Sequence, residues 1–468
     1  MKKIVKCVAL LSAAAICVSV AAGCSGGKSD MKTATIWMNV GHSKQYWTEK
    51  VQNFNNEKSK ELGVELVLDS KTDDSYSQQL EIALKSDQLP EFFFDGGCGK
   101  EDELGLSYPI SDLPGMEDMI AEYENSMVEN IHKVGDKVYC LPEGMTTRGL
   151  IYNKDMFVAA GLVDENGEAK PPKTFDEVRE YAKKLTNTSK NQYGIALPVK
   201  WAAWTESDIT TIGISNSGYD YYKPATGEYD YTALEPIINM IMGIKEDGSC
   251  YPGAEGLDND PARAKFAEGN IGMKISYSFD VGVFNIQFPA ICDWGVAPLP
   301  GEDPEHCYKQ MARVGSSLQV SKKAVDELGT ETVAEIYKYL YNDDTWRDLY
   351  IKGLEIPINW DVVSDVKLGD DAPKGWKEFS QMASISIPDA RRMPTDLKDS
   401  RSFSDIMLND IWTGKTTDIK GTLEAVTKAA NDGIAVYKES HKDNDIDYDS
   451  YIISNWDEMV RRDSYWVE

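Results

Sequence analysis

Between Thr33 and Gly97 the apolar residues switch repeatedly between two spacings, and this alternation limits the possible folds more than any other feature of the chain. Residues 33–40 (TATIWMNV) form a β-branched, apolar run that suits a buried strand. In 46–54, Trp47, Val51 and Phe54 are spaced for one helix face. Residues 64–68 read as a second strand. Residues 76–84 read as a second helix, with Tyr76, Leu80, Ala83 and Leu84 on one side. Residues 91–95 (EFFFD) read as a third strand that ends at the Gly96-Gly97 turn. A β-α-β-α-β order predicts a parallel sheet wrapped by helices. Such sheets hold ligands at the carboxyl ends of their strands. Here that edge is residues 39–42, 69–70 and 95–97.

At 468 residues the chain exceeds what one hydrophobic core usually spans, so two or three domains are expected. Asp and Glu number 77 against 49 Lys and Arg, a formal charge of −28. That excess repels a phosphate backbone and argues against nucleic acid as a partner. It favours neutral or cationic ligands, though weakly. Further along, Thr174 and Glu177 form a capping box, and Phe175, Val178, Tyr181, Ala182 and Leu185 mark the buried face of the helix it starts. Asp155 is placed to cap a short helix that Gly161 stops. Residues 193–199 and 271–279 read as strands, and 321–341 and 422–437 as amphipathic helices.

The first 24 residues carry Lys2, Lys3 and Lys6, then an uncharged stretch from Cys7 to Ala22, then Ala21-Ala22-Gly23-Cys24. This is the plan of a secretory signal. Its uncharged stretch is short for the about 20 residues that cross a bilayer. The ending resembles the lipobox of bacterial lipoproteins, which implies a signal peptide over 1–23 and lipidation at Cys24, with 24–31 as a flexible tether. The family pattern prefers Leu where Ala21 stands; simple secretion and a membrane span are the alternatives. Beyond Cys24 five cysteines remain: Cys98, Cys140, Cys250, Cys292 and Cys307. None falls in a C-x-x-C, so neither a disulfide framework nor a zinc site is implied, and buried apolar packing is expected.

The chain has no G-x-x-x-x-G-K-[ST], no H-E-x-x-H and no G-x-S-x-G. His42, His132, His306 and His441 are scattered and read as surface residues. Residues 443–454 begin like a calcium loop. Tyr448 stands where the sharp turn needs Gly, and Ser454 where a bidentate Glu belongs, so a solvated acidic surface is the reading. No catalytic residue, metal or cofactor is implied.

Six segments, in order, resemble the sugar-binding branch (family 1) of the extracellular solute-binding proteins of bacterial ABC importers. They are 138–144 (VYCLPEG) with 150–157 (LIYNKDMF), 171–185 (PPKTFDEVREYAKKL), 266–273 (FAEGNIGM), 293–301 (DWGVAPLPG), 353–359 (GLEIPIN) and the carboxyl-terminal helix. One departure is the Ser276-Tyr277-Ser278-Phe279-Asp280 stretch, where the family commonly has a Gly-Ser-Trp-like turn; the aromatic contact then falls on Tyr277 or Phe279. The resemblance implies an α/β protein of two lobes in the type II periplasmic-binding-protein arrangement, with hinge strands and a ligand cleft between. Lobe 1 would be 32–146 with about 310–352, and lobe 2 would be 147–309 with about 353–468. It also implies a monomer that hands an oligosaccharide to the transmembrane subunits of a permease, anchored by lipid on the extracytoplasmic face of the cell membrane.

A pyranose presents apolar faces to aromatic rings and a rim of hydroxyls to carboxylates and amides. The chain has 11 Trp and 24 Tyr. Trp37 lies on the first strand near the cleft edge, Trp201 and Trp204 follow the strand at 193–199, and Trp360 follows Asn359. Polar candidates are Asp95, Glu143, Asp280, Arg313 and Asn359. Each has an ordinary alternative in core packing, capping or surface exposure. The same fold could take a cationic or peptide-like solute. A surface glycosidase, or an adhesin or sensor subunit, is a further alternative.

Overall fold

The computed structural model describes residues 31–461, apart from 40, 72, 95–96, 128–130, 202, 304–307, 315–317, 389, 398–400 and 443–445. The signal peptide, Cys24, Asp95, Cys307, His306 and the start of the acidic 443–454 loop therefore lie outside the described residues.

The first sheet realises the alternation at the amino terminus. Lys32–Met38 pairs in parallel with Val64–Ser70 on one side and with Phe92–Phe94 on the other. Leu318–Ser321 adds antiparallel to Phe92–Phe94, and Ser107–Tyr108 completes the order. Between the strands, the helix Lys44–Glu57 buries Tyr46, Trp47, Val51 and Phe54, as the spacing requires. The core on this sheet joins Ala34, Ile36, Phe92 and Val320 to Tyr337, Leu340 and Trp346.

A second sheet runs in the order Trp294–Ala297, Arg148–Asn153, Ile271–Tyr277, Tyr193–Ile195. Every residue of Arg148–Asn153 and Ile271–Tyr277 is buried, which is what a strand covered on both faces demands. Helix Phe175–Leu185 packs here, and its capping box forms with both bonds present.

The third sheet joins the other two. Gly144–Thr146 lies between Ile356–Pro357 and Gln310–Val314, with Ser386–Pro388 outermost. Gly144–Thr146 runs directly into Arg148–Asn153 of the second sheet. Gln310–Val314 precedes Leu318–Ser321 of the first. Ile356–Pro357 leaves the helix Asp343–Ile351, whose Trp346 and Leu349 belong to the first core. Three crossing segments thus share one sheet between two α/β lobes, with Gly144–Thr146 hydrogen-bonded to both of the others. Such short ladders are narrow enough to act as hinges.

Local differences from the expected elements have local causes. Residues 321–341 form two helices, Lys322–Leu328 and Thr330–Leu340. They break at Gly329, whose φ of 85° and ψ of 154° suit only glycine. The 154–159 helix is capped by Asn153, which accepts from the Met156 amide at 3.0 Å, rather than by Asp155. The strand at 193 stops at Ile195, residues 196–201 turn away as a loop with a turn at Trp201, and the chain is helical again from Trp204. The last long helix is longer than its apolar stripe, spanning Ile419–Ser440. Cys98 and Cys140 are buried, Cys250 and Cys292 are half-buried, and none of the four forms a disulfide.

Candidate functional site

The strand Ile271–Tyr277 ends in an aromatic pair. Tyr277 and Phe279 stack with their planes 1° apart and their centroids 5.2 Å apart. On one flank Trp201 meets Tyr277 edge-on at 5.9 Å. On the other, His42 of the first lobe meets Phe279 at 5.7 Å. The four rings make a row that begins in the second lobe and ends in the first. Trp201, Phe279 and His42 are each half-buried, whereas Tyr277 is 2% exposed.

His42 is held by the chain near the hinge: its Nε2 lies 2.7 Å from Oε1 of Glu355, two residues after Gly353. The expectation of a surface histidine therefore fails at His42, and also at His132, which is fully buried. Also on the first lobe, Trp37 is half-buried, with the Lys71 ammonium 4.6 Å above its ring. Lys71 is in turn paired with Asp69 at 2.5 Å. Tyr76 donates to the Trp37 carbonyl at 3.3 Å. The carboxyl ends of the first two parallel strands thus supply Trp37 and Asp69, as the sheet rule predicts.

Beneath the row lies a network of buried charge. Asp208, on a five-residue π-helical turn Thr205–Ile209, accepts from the Tyr277 hydroxyl. Burial pushes the Asp208 carboxyl up to about 6, against the pull of Lys274. Lys274 is 0% exposed; burial lowers its ammonium pKa, and it donates to the Ile275 carbonyl at 2.7 Å. Asp280, also 0% exposed, takes the Ser276 hydroxyl and the Tyr277 amide on one oxygen and pairs with Arg263 at 2.6 Å on the other. The guanidinium carbons of Arg148 and Arg263 sit 5.5 Å from the Tyr277 and Phe279 rings respectively. Arg148 also donates to the Met311 carbonyl at 3.0 Å, tying the second sheet to a crossing strand.

The sequence candidates divide accordingly. Trp37 and Trp201 offer partly open rings. Trp204 does not: it is 1% exposed, packed edge-on to Trp412 at 5.7 Å in the second-lobe core. The loop turns Trp201 outward and Trp204 inward, since one ring must fill the space above Trp412. Tyr277 and Asp280 are buried supports, with no open face or free oxygen edge. Asn359 caps a short helix by accepting from the Asp361 amide at 3.3 Å, and Trp360 beside it is 44% exposed against Tyr350. Glu143 is half-buried just before the Gly144–Thr146 hinge strand. Arg313 pairs through its backbone with Thr146 in the crossing sheet; its side chain lies outside the description. Phe279 and His42 complete the row; the resemblance already put the aromatic contact on Tyr277 or Phe279, whereas for His42 only its place after the first strand pointed to the site.

A cavity of about 450 Å³ lined by Asp87, Leu89, Leu106, Lys322 and Glu327 lies elsewhere, at the end of the first sheet away from Trp37. Among the described residues no three or more His, Cys, Asp or Glu side chains converge as a metal cage would require.

Two α/β lobes, three crossing segments and an aromatic row from one lobe to the other make up a bilobal fold of the kind found in solute-binding proteins. The chain belongs to the bacterial extracellular solute-binding proteins, whose family pattern matches residues 41–345. It is 28% identical over 240 residues to a maltotriose-binding protein of Pyrococcus abyssi, a match covering 51% of this chain and 47% of that protein. It is 24% identical over 366 residues to a galactooligosaccharide-binding protein of Bacillus subtilis, covering 73% and 79%. The chain thus spans about half the length of the first of these relatives. Its fold matches the GacH receptor of Streptomyces glaucescens, solved unliganded and with acarbose. The TM-score is 0.65 at 15% identity, over 88% of this chain and 99% of that one. The family and these relatives are binding proteins rather than enzymes.

Proposed function

We propose that the chain captures an oligosaccharide between its lobes and delivers it to a membrane permease of the ABC class. The observation that carries this reading is the row Trp201–Tyr277–Phe279–His42, in which half-buried rings from both lobes, Trp201, Phe279 and His42, are lined up on the buried Tyr277. A ligand that touches both lobes stabilises the shut state over the open one. We place lobe 1 at 32–146 with about 310–352 and lobe 2 at 147–309 with about 353–468. Trp37, Trp201 and Phe279 are assigned stacking roles. Glu143, Asn359, Trp360, Asp95 and Arg313 are assigned to the rim of the site. Cys24 is assigned the lipid that keeps the monomer at the extracytoplasmic face of the cell membrane.

The charges around the row support a neutral ligand over a cationic one. Lys71 and Arg263 each meet a carboxylate of the chain itself, Asp69 and Asp280, and the His42 imidazole is hydrogen-bonded to Glu355. Those carboxylates are therefore engaged, and a cationic guest would find aromatic faces already beside Lys71, Arg148 and Arg263.

Calorimetric titration with malto-, galacto- and xylo-oligosaccharides tests the proposal, with polyamines and short peptides alongside. Saturable heat from at least one oligosaccharide, with the sugar recovered intact, is expected. Heat only from polyamines or peptides, or hydrolysis of the sugar, overturns it.

A further inference from the structure

The centre of the aromatic row is buried, so it serves the ligand only through what it holds in place. Tyr277 touches Trp201 on one side and Phe279 on the other, and its own ring is closed to solvent. Its position depends on two ends. The backbone end is fixed by the strand and by the Tyr277 amide donating to Asp280 at 3.2 Å. The hydroxyl end reaches a carboxylate 69 residues earlier in the chain, on a π-helical turn of the kind often found at functional sites.

We propose that Asp208 is the positioning residue of the ligand platform: by anchoring the Tyr277 hydroxyl it sets the two ring faces, Trp201 and Phe279, at the spacing the sugar meets. This rests on the oligosaccharide reading of the row. Asp208 faces Lys274 and Tyr277 from the Ile271–Tyr277 strand, Arg148 from the adjoining strand and Asp280 from the helix that follows. The two cations favour its charged form, and Asp280 and burial oppose it. A hydrogen bond to a carboxylate is about twice as strong as one to a neutral carboxyl. With the carboxyl pushed up to about 6, acidification through that pH weakens the anchor while Lys274 and Arg148 lose a counter-charge. Ligand affinity therefore falls as the solution becomes more acidic than about pH 6.

Two variants and two readouts test this. In the free protein, the near-ultraviolet circular dichroism of the aromatic row changes in one step near pH 6. The step disappears in Asp208→Asn and in Tyr277→Phe, and persists in His42→Gln, which removes the nearby imidazole. In calorimetry with whichever oligosaccharide binds the wild type, affinity drops about tenfold between pH 7.5 and 5, the scale of one charge-assisted hydrogen bond. Asp208→Asn shows the weaker affinity at both pH values. Far-ultraviolet spectra and urea midpoints establish that each variant is folded; should Asp208→Asn fail to fold, Tyr277→Phe carries the test. A dichroism step that survives in both folded variants overturns the proposal, as does variant affinity equal to wild type across the range. Were no oligosaccharide to bind, the reading of the ligand would fall, while the titration of the free protein would still decide the role of Asp208.

Discussion

Trp201 and Trp204 stand three residues apart, and alanine at each separates ligand contact from core packing. A fully buried tryptophan removes some 150–250 Å² from water, about 4–6 kcal/mol at 25 cal/mol per Å². Trp204 is 1% exposed, and its edge-on contact with Trp412 adds about 1 kcal/mol. Partial collapse of the cavity recovers some of this, so Trp204→Ala is expected to lose about 3–5 kcal/mol of stability. Its ligand affinity, measured under conditions where the variant is folded, stays close to wild type. Trp201 is half-buried and makes one edge contact with Tyr277. Trp201→Ala is expected to cost under about 2 kcal/mol in stability and most of the binding heat. Urea unfolding followed by circular dichroism gives the first quantity, and calorimetry the second. The reasoning is refuted if Trp204→Ala keeps its unfolding midpoint and loses the ligand, because the ring would then be a contact and not a core residue.

Three other perturbations probe the frame. Gly194 sits where helix Phe175–Leu185 crosses its strand, and a Cβ there would overlap the backbone of Ala182; Gly194→Ala is expected to cost about 2–3 kcal/mol in urea unfolding, and an unchanged midpoint would contradict the packing. The Asp247 carboxyl is held down to about 2 by hydrogen bonds from Arg179. A depressed carboxyl stabilises the fold above its unfolded value near 3.8 and loses that contribution as pH falls toward 2, so thermal melts of Asp247→Asn should show a flatter acid limb than wild type. Cys24→Ser should move the protein from the membrane fraction to the medium or the soluble fraction; retention in membranes would remove the lipid anchor from the proposal.

Legibility followed range along the chain. The parallel β-α-β-α-β start, the capping box at Thr174 and the buried stripe from Phe175 to Leu185 were readable because each depends on residues within a few positions of one another. The helix break at Gly329 was readable in principle from the glycine, yet the apolar stripe runs through it on both sides. The site was harder to read. Trp37, Trp201 and Phe279 could be named as aromatics near strand ends, but spacing does not say which ring of a loop turns outward. Asp280 looked like an open rim acid because it follows a strand; Arg263, on another helix, takes it as a buried ion partner.

Local order, then, was the sequence's to determine: strands of β-branched and aromatic runs, helices with one apolar face, and a family pattern in six ordered pieces. Only the tertiary structure decided that Gly144–Thr146, Gln310–Val314 and Ile356–Pro357 share a sheet, that His42 meets Phe279, and that Asp208 anchors Tyr277. Those pairings join residues tens to hundreds of positions apart. They follow from how two cores pack and how buried charges find partners, which no short window of residues contains.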